Sequence, residues 1–273
     1  MADVVSFRKE EPTGLVNVER AGSVVRLTLN NPPANALSVA LMTALGSELD
    51  AVAGDESVRV VVLAATGNLF SGGHDLKEMT AHREDTDGGR AFFETTMRMA
   101  ADLMLKIAGL PQPVLAEIDG LATAAGCQLV ATCDLAICTD SSTFCTPGVN
   151  IGLFCSTPMV AVTRAAHPKQ AMEMLLTGET IDASTAKDFG LVNRIVPKQY
   201  LRQVVDKYAA VIASKSPQAL RIGKAAIRAQ SGLPMADAYD LAVATMVDNM
   251  LREDAKEGIG AFLAKRMPEW GGR

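Results

Sequence analysis

Aromatic residues are scarce in this 273-residue chain: eight Phe, three Tyr and one Trp make up 4% of it, beside only three His. No dense Lys/Arg stripe with interleaved aromatics occurs and the net charge is -5, so the footprint of a protein that tracks a phosphate backbone is missing and no nucleic-acid partner is expected. Long apolar runs are missing too. The run Val58 to Ala65 is too short to cross a membrane, and no membrane partner is expected. There is no C-x-x-C pair; all five cysteines (Cys127, Cys133, Cys138, Cys145 and Cys155) fall in one internal stretch, which suits buried reduced thiols better than a disulfide frame or a zinc site. No metal is expected. Met1 to Glu11 has neither a long apolar core nor the Arg/Ser-rich, acid-poor look of a transit peptide, so the expected location is cytoplasmic.

What is there is enough apolar sequence, 48% of residues, to bury a full core. Leu15 to Arg20 and Ser23 to Leu29 read as a hairpin around Ala21-Gly22, closed by Asn31-Pro32-Pro33. Ser38 caps a helix with Leu41, Leu45, Leu49 and Val52 at helical spacing. Val58 to Ala64 reads as a strand buried on both faces. A glycine-containing loop, Thr66 to Asp75, and the polar stretch Ala81 to Gly89, the best candidate for a mobile segment, precede a long helix carrying Phe93, Met97, Ala100, Met104 and Ile107. That stripe reads as core, with a substrate-lining role for part of it as the alternative.

Strands at Val114 to Ile118, Leu135 to Thr139 and Ser142 to Cys145, with a helix over Ala124 to Cys133, continue the alternation to residue 195 and predict an α/β fold. After Pro197 the chain reads as helix, starting near Tyr200, Pro217, Pro234 and Asp254. The predicted division is a core over 1–197 and a helical region over 198–273.

Two turns rich in small residues, Phe70-Ser-Gly-Gly-His-Asp75 and Gly120-Leu-Ala-Thr-Ala-Ala-Gly126, each follow a buried strand and precede a helix. Small side chains leave backbone N–H groups approachable, and a first helical turn leaves several without partners. Each turn can bind an anion; two converging donors would hold a thioester oxygen as it becomes an enolate. Close packing of helix on sheet is the alternative for either turn alone. A phosphate loop is excluded because Gly73-His74 stands where Gly-Lys-Ser/Thr is required after Gly67 and Gly72. No G-x-G-x-x-G follows a strand, which excludes the dinucleotide fingerprint.

Leu29-Asn-Asn-Pro with Asn35-Ala-Leu37, Phe70-Ser-Gly-Gly-His-Asp-Leu-Lys-Glu-Met79, the Gly120 turn followed by Cys133-Asp134, and Glu257-Gly-Ile-Gly-Ala-Phe-Leu-Ala-Lys-Arg266 together resemble the crotonase superfamily, the enoyl-CoA hydratase/isomerase family, over about residues 14 to 268. Ser71 to Lys77 and Thr146 to Thr157 resemble the branch named for enoyl-CoA hydratase domain-containing protein 3. The resemblance implies a spiral of ββα units in two packed sheets, a helical C-terminal region for oligomerisation, and homotrimers or hexamers. It implies acyl-CoA thioester substrates and no cofactor beyond their coenzyme A moiety. The implied oxyanion donors are the backbone N–H groups of His74 and Ala125. The implied coenzyme A contacts are the backbone at Ala34 and Gly72, the Lys77 ammonium, and Phe262 and Lys265 from a neighbouring subunit; for both lysines a solvated surface charge is the alternative.

The chain departs from this pattern at Gln128 and Gly148, which match the two glutamates that family hydratases use to activate water and supply the proton. General acid-base groups contribute roughly 10²- to 10⁴-fold each, so weak ordinary hydration is expected. Gln128 either orients a water or carbonyl or satisfies buried groups. Related synthases also resemble this chain in having Gly at Gly148, and they place an Asp where it has Cys155. That thiol is either structural or activated by the helix start Ser156-Thr157-Pro158. The His74 imidazole either faces the pocket as a proton carrier or points elsewhere. Asn150 and Asp75 are further polar candidates, with Asp75 equally a helix cap. Asp134 reads as structural. The expected function is that of an acyl-CoA enzyme of this family, with a catalytically silent acyl-CoA binder or partner subunit as the alternative.

Overall fold

The computed structural model of the protein describes residues 14–271. Strands β1 (Val16–Ala21) and β2 (Val24–Leu29) form the predicted hairpin, with Gly22 at a φ of 57° supplying the left-handed turn. Helix α1 (Val39–Gly54) starts on Ser38, whose hydroxyl accepts from the Leu41 N–H, and buries Leu41, Leu45, Leu49 and Val52. Then follow β3 (Val60–Ala65), β4 (Leu69–Ser71), α2 (Leu76–Ala81) and α3 (Arg90–Gly109). The next units are β5 (Val114–Ile118), β6 (Leu121–Thr123) and α4 (Ala125–Thr132), then β7 (Leu135–Thr139) and β8 (Thr143–Cys145), with α5 (Ser156–Ala165) and α6 (Pro168–Thr177) after them. Strand β9 (Ile181–Asp182), α7 (Ala183–Asp188) and β10 (Arg194–Val196) close the core, and α8 (Leu201–Ala213), α9 (Pro217–Gln230), α10 (Met235–Met250) and α11 (Glu253–Leu263) complete the chain.

Each turn of the chain gives one strand to a six-stranded sheet, ordered β1-β2-β3-β5-β7-β10, and the next to a four-stranded sheet, ordered β4-β6-β8-β9. Beyond the β1 hairpin the larger sheet is parallel, so every crossover carries helix or the second sheet over one face. This is the ββα spiral. The sequence reading missed β4, β6, β9 and β10 because they are two or three residues long and two of them lie inside the small-residue turns, where no alternation can develop.

The main core fills the space between the sheets and under α1, α3 and α4. In α3 the expected stripe is buried at Ala100, Met104 and Ile107, joined by Thr96 and Leu103. The stretch Ala81 to Gly89 contains a 3₁₀ turn at His82–Glu84, the His82 ring stacked 3.6 Å from Phe92, and the Asp87 carboxylate accepting from the Gly89 and Ala91 N–H groups. The five cysteines are free thiols, four of them buried.

A second apolar cluster lies on the other face of the large sheet, where Leu201, Val205 and Ala209 of α8 cover Val24, Val60, Val62, Leu115 and Ile137. This cluster crosses the sequence boundary at 197/198, so α8 is part of the sheet's cover. Arg26, only 1% exposed, is held there by Glu117 of β5 and Asp206 of α8. Burial raises the Glu117 carboxyl above its usual range while Arg26 opposes that shift. Removing one partner of a buried pair strands the other's charge, so Glu117→Ala is expected to cost about 3 kcal/mol in urea unfolding. A loss below about 1 kcal/mol would show that Asp206 alone suffices.

The remaining helices are packed differently. Lys224 and Arg228 of α9 both pair with Asp134, at 2.6 and 2.8 Å, and Asp134 also accepts from the Val114 N–H, which gives that residue its structural role. Neither α9 nor α10 buries a residue. Along α10, Met235, Tyr239, Val243, Met246, Val247 and Met250 form an exposed apolar stripe.

Candidate active site

The first small-residue turn is shaped by Asn35, itself at a φ of 45° and fully buried. Its amide donates to the carbonyls of Thr66 and Leu69 at 2.9 and 2.8 Å, and the Ser71 hydroxyl donates to the Asn35 carbonyl at 2.9 Å. The Leu37 N–H then bonds the Gly73 carbonyl at 2.7 Å in a parallel bridge to His74. In such a bridge the flanking residues face the partner strand, so the His74 N–H points to the opposite side. Asp75 closes the turn as the cap of α2, accepting from the Lys77 and Glu78 N–H groups at 2.9 and 3.2 Å. Its carboxylate is therefore engaged in the cap.

The second turn meets the first through β4 and β6, which pair in parallel at Ser71 and Ala122. Ala124 sits at φ 51° and ψ -118°, a strained conformation for a residue with a Cβ, and delivers Ala125 as the first residue of α4, where an N–H has no intrahelical acceptor. The two turns are in contact. A methyl group on Gly73 would stand 3.2 Å from the Ala125 nitrogen, and one on Gly126 would stand 2.3 Å from the Ser71 carbonyl oxygen. Glycine is thus required at 126 by backbone approach and at 73 by a φ of 80° together with tight contacts, and the two turns lie against one another.

Gln128, 3% exposed, lies one turn further along α4, with its Oε1 buried and lacking a hydrogen-bond partner. Gly148 lies in the 3₁₀ turn Pro147–Ile151, and the space beside its Cα is occupied: a Cβ there would meet the Cys155 Sγ at 3.0 Å and the Leu153 carbonyl oxygen at 3.1 Å. Cys155, read from the sequence as either structural or activated, is the N-cap residue of α5, which begins at the expected Ser156-Thr157-Pro158. Burial pushes that thiol up, outweighing the backbone hydrogen bond at Gly148 that favours the thiolate. Asn150 is exposed, with its amide nitrogen beside Gly178.

His74 has an imidazole whose Nε2 is buried without a partner, and burial holds its pKa below the usual histidine value. It is neutral at pH 7. Because the folded pKa is depressed, the unfolded chain binds the extra proton first, so this contribution is intact above the unfolded value of 6.5 and is lost as pH falls below it. Urea unfolding from pH 7.5 to 5 is expected to show a slope that flattens in His74→Gln; an unchanged slope would assign it to other groups.

Of the expected coenzyme A contacts, Ala34 and Gly72 lie side by side, but the Gly72 N–H is committed to the Ala34 carbonyl at 2.8 Å and cannot serve a ligand. Lys77 is exposed and makes no ion pair among the described residues. Phe262, 82% exposed, and Lys265 lie at the end of α11, which packs on α9 and α10. Among the described residues no group of three His, Cys, Asp or Glu is placed to hold a metal ion, and no helix is long and apolar enough to cross a membrane. A cleft of about 630 Å³ between α1 and α3, lined among others by Met42, Asp50, Arg98 and Lys106, shares no residue with the two turns. Sequence reasoning overlooked Thr96, which lies in the apolar stripe of α3 as its one polar member; that mismatch was the available signal.

Comparison with known proteins settles the relationship. Residues 19–273 match the family described as enoyl-CoA hydratase/isomerase. The chain belongs to that family. Enoyl-CoA hydratase domain-containing protein 3 of Xenopus laevis is 42% identical over 94% of this chain and 86% of its own length. The human protein of that name has a crystal structure that superposes with a TM-score of 0.89 at 42% identity, covering 94% of this chain and all of that one. A Mycobacterium smegmatis enoyl-CoA hydratase structure, 46% identical over 94% of this chain and 99% of its own, gives the same score. This family member thus has the crotonase fold and groups with the branch read from Ser71 to Lys77. The cytoplasmic expectation is overturned: the Xenopus, rat, mouse, human and zebrafish relatives are all named mitochondrial. Location is written in address segments that other proteins read, not in the composition of the folded domain.

Proposed function

We propose that this protein binds acyl-CoA thioesters and polarises the thioester carbonyl between the His74 and Ala125 N–H groups, without ordinary hydratase power. The observation that supports the reading is the close approach of the two turns at Gly73 and Ala125, with the His74 N–H turned away from its bridge to Leu37. Preorganised donors of this kind are typically worth about 2.7 to 4 kcal/mol each toward a developing oxyanion. No cofactor beyond the coenzyme A moiety is needed for that step. Lys77, unpaired and exposed near the turn, is suited to the phosphates, and Phe262 and Lys265 are suited to supply contacts from a second subunit.

Water activation is the weak part of the machinery. Gln128 cannot take up a proton at neutral pH, Gly148 has no side chain, and Cys155 is held in its thiol form. The exposed stripe on α10 supports burial against other subunits, and a homotrimer or hexamer is the proposed assembly. Metabolic chemistry on a thioester and silent binding as a partner subunit share this site; retention of both small-residue turns favours chemistry.

Calorimetry with butyryl-CoA and with coenzyme A is the direct test. A saturable signal that is tighter for the thioester by about tenfold is expected, the difference being the carbonyl contact. Equal affinity for the two would remove the oxyanion role, and no binding of either would remove the acyl-CoA reading.

A further inference from the structure

A second pocket, of about 150 Å³, lies where the helical C-terminal region meets the core, and it shares no residue with the two turns. Three segments far apart in the chain wall it: the α1–β3 connection, the residues just ahead of β5, and the first turns of α9. Its walls are fixed by bonds within the protein. The Gln112 carboxamide donates to the Val52 carbonyl at 2.9 Å, the Lys224 ammonium donates to the Gln112 carbonyl at 2.9 Å, and Arg59 Nη1 donates to the Ala213 carbonyl at 3.0 Å. Pro111, Pro113 and Pro217 restrict the backbone further, and with Val58 and Leu220 they give the pocket apolar sides.

Three charged residues line the same pocket without pairing. Among the described residues the Arg221 guanidinium and the Glu56 carboxylate make no hydrogen bond or ion pair, and the half-buried Arg59 side chain makes only its bond to Ala213. A guanidinium presents five N–H donors in a planar fork that matches a carboxylate, so all of Arg221's donors and most of Arg59's are uncommitted within the protein. The start of α9 adds little to this field. Its cap, the Ser216 hydroxyl, accepts from the Ala219 N–H at 3.0 Å and donates to the buried Asp254 carboxylate at 2.5 Å, so a negative charge already sits there. Two guanidiniums against one carboxylate leave a single positive charge, which a monoanion neutralises and a dianion exceeds.

We infer that this pocket binds a small aliphatic monocarboxylate, with the carboxylate held by Arg59 and Arg221 and the short carbon body against the proline, Val58 and Leu220 walls. Concave sites with apolar sides and a few placed polar groups are the usual form of ligand pockets, and a volume below the roughly 300 to 1,000 Å³ of drug-sized sites suits a body of a few carbons. A ligand seated there joins α9 to the two core connections. The inference stands apart from the acyl-CoA reading, because neither guanidinium belongs to the two turns.

Calorimetry on the full-length protein with isobutyrate, isobutyramide and inorganic phosphate, at constant ionic strength, tests the inference. Isobutyrate is expected to bind saturably with a Kd of about 1 mM, and the neutral isobutyramide, which has the same shape, at least about tenfold more weakly. Phosphate, largely a dianion at neutral to alkaline pH, should bind more weakly than isobutyrate, and Glu56→Gln should narrow that gap. Arg221→Gln changes an exposed side chain with no partner to lose, so it should weaken isobutyrate about tenfold while leaving urea unfolding unchanged. Absence of saturable isobutyrate binding, equal binding of isobutyramide, tighter binding of phosphate, or an isobutyrate affinity that Arg221→Gln does not alter would each overturn the site and leave the acyl-CoA reading as it stands.

Discussion

Hydration of crotonyl-CoA by this protein is expected to run about 10⁴-fold or more below that of a relative with both glutamates, since each general acid-base group contributes roughly 10²- to 10⁴-fold. A steady-state assay following loss of the enoyl chromophore measures it. Turnover within about tenfold of a two-glutamate enzyme would mean that another group activates water, and would refute the reading of Gln128 and Gly148. Restoring the acids is a stricter test. Gln128→Glu is close to isosteric, although it places a carboxylate in a buried position. Gly148→Glu requires a Cβ 3.0 Å from the Cys155 sulfur and 3.1 Å from the Leu153 carbonyl, so residues 153 to 155 must yield first. The double substitution alone is therefore expected to stay inactive, and addition of Cys155→Ala to it should raise the rate. Substantial hydration by the double variant itself would show that the 153–155 segment moves readily.

Gly126→Ala is expected to be among the most damaging single-methyl changes in the chain. The new methyl would stand 2.3 Å from the Ser71 carbonyl oxygen and 2.8 Å from the Ser71 Cβ, both on a strand locked into the smaller sheet. Neither backbone can yield without separating α4 from β4, so the cost is expected at the upper end of the roughly 1–3 kcal/mol typical of overpacking. The same separation would withdraw the Ala125 donor from His74, so the affinity for an acyl-CoA thioester should fall with the stability. Gly223→Ala on α9 is the control: no other atom lies within 4 Å of its Cβ position, and the gain in helix propensity is about 1 kcal/mol. Urea unfolding of the two variants separates the packing argument from a general intolerance of glycine replacement. Equal stabilities would refute the close-approach requirement.

The contrast between those two glycines shows what was legible in the sequence. Local signals carried far: the Ser38 and Asp75 caps, the hairpin glycine, the periodic stripes of α1 and α3, and the alternation of strand and helix all depend on neighbours within a few residues. They led to the elements and, through the resemblance of Asn35-Ala-Leu37, the Ser71 turn and the Gly120 turn, to the family. The short strands β4 and β6 were not legible, because three residues inside a turn have no period to read.

The sequence by itself determined the alternation of strand and helix and the two turns able to offer backbone donors, since each is a property of residue type at a fixed spacing, and its resemblance to the family marked the absence of both usual glutamates. Tertiary structure alone decided the rest. The meeting of Gly73 with Ala125, the filling of Gly148's empty side by a Cys155 thiol that burial keeps protonated, and the burial of Arg26 between Glu117 and Asp206 all join residues far apart in the chain. Their chemistry is set by desolvation and by which partner comes within hydrogen-bond reach, and neither exists until the sheets and helices have packed.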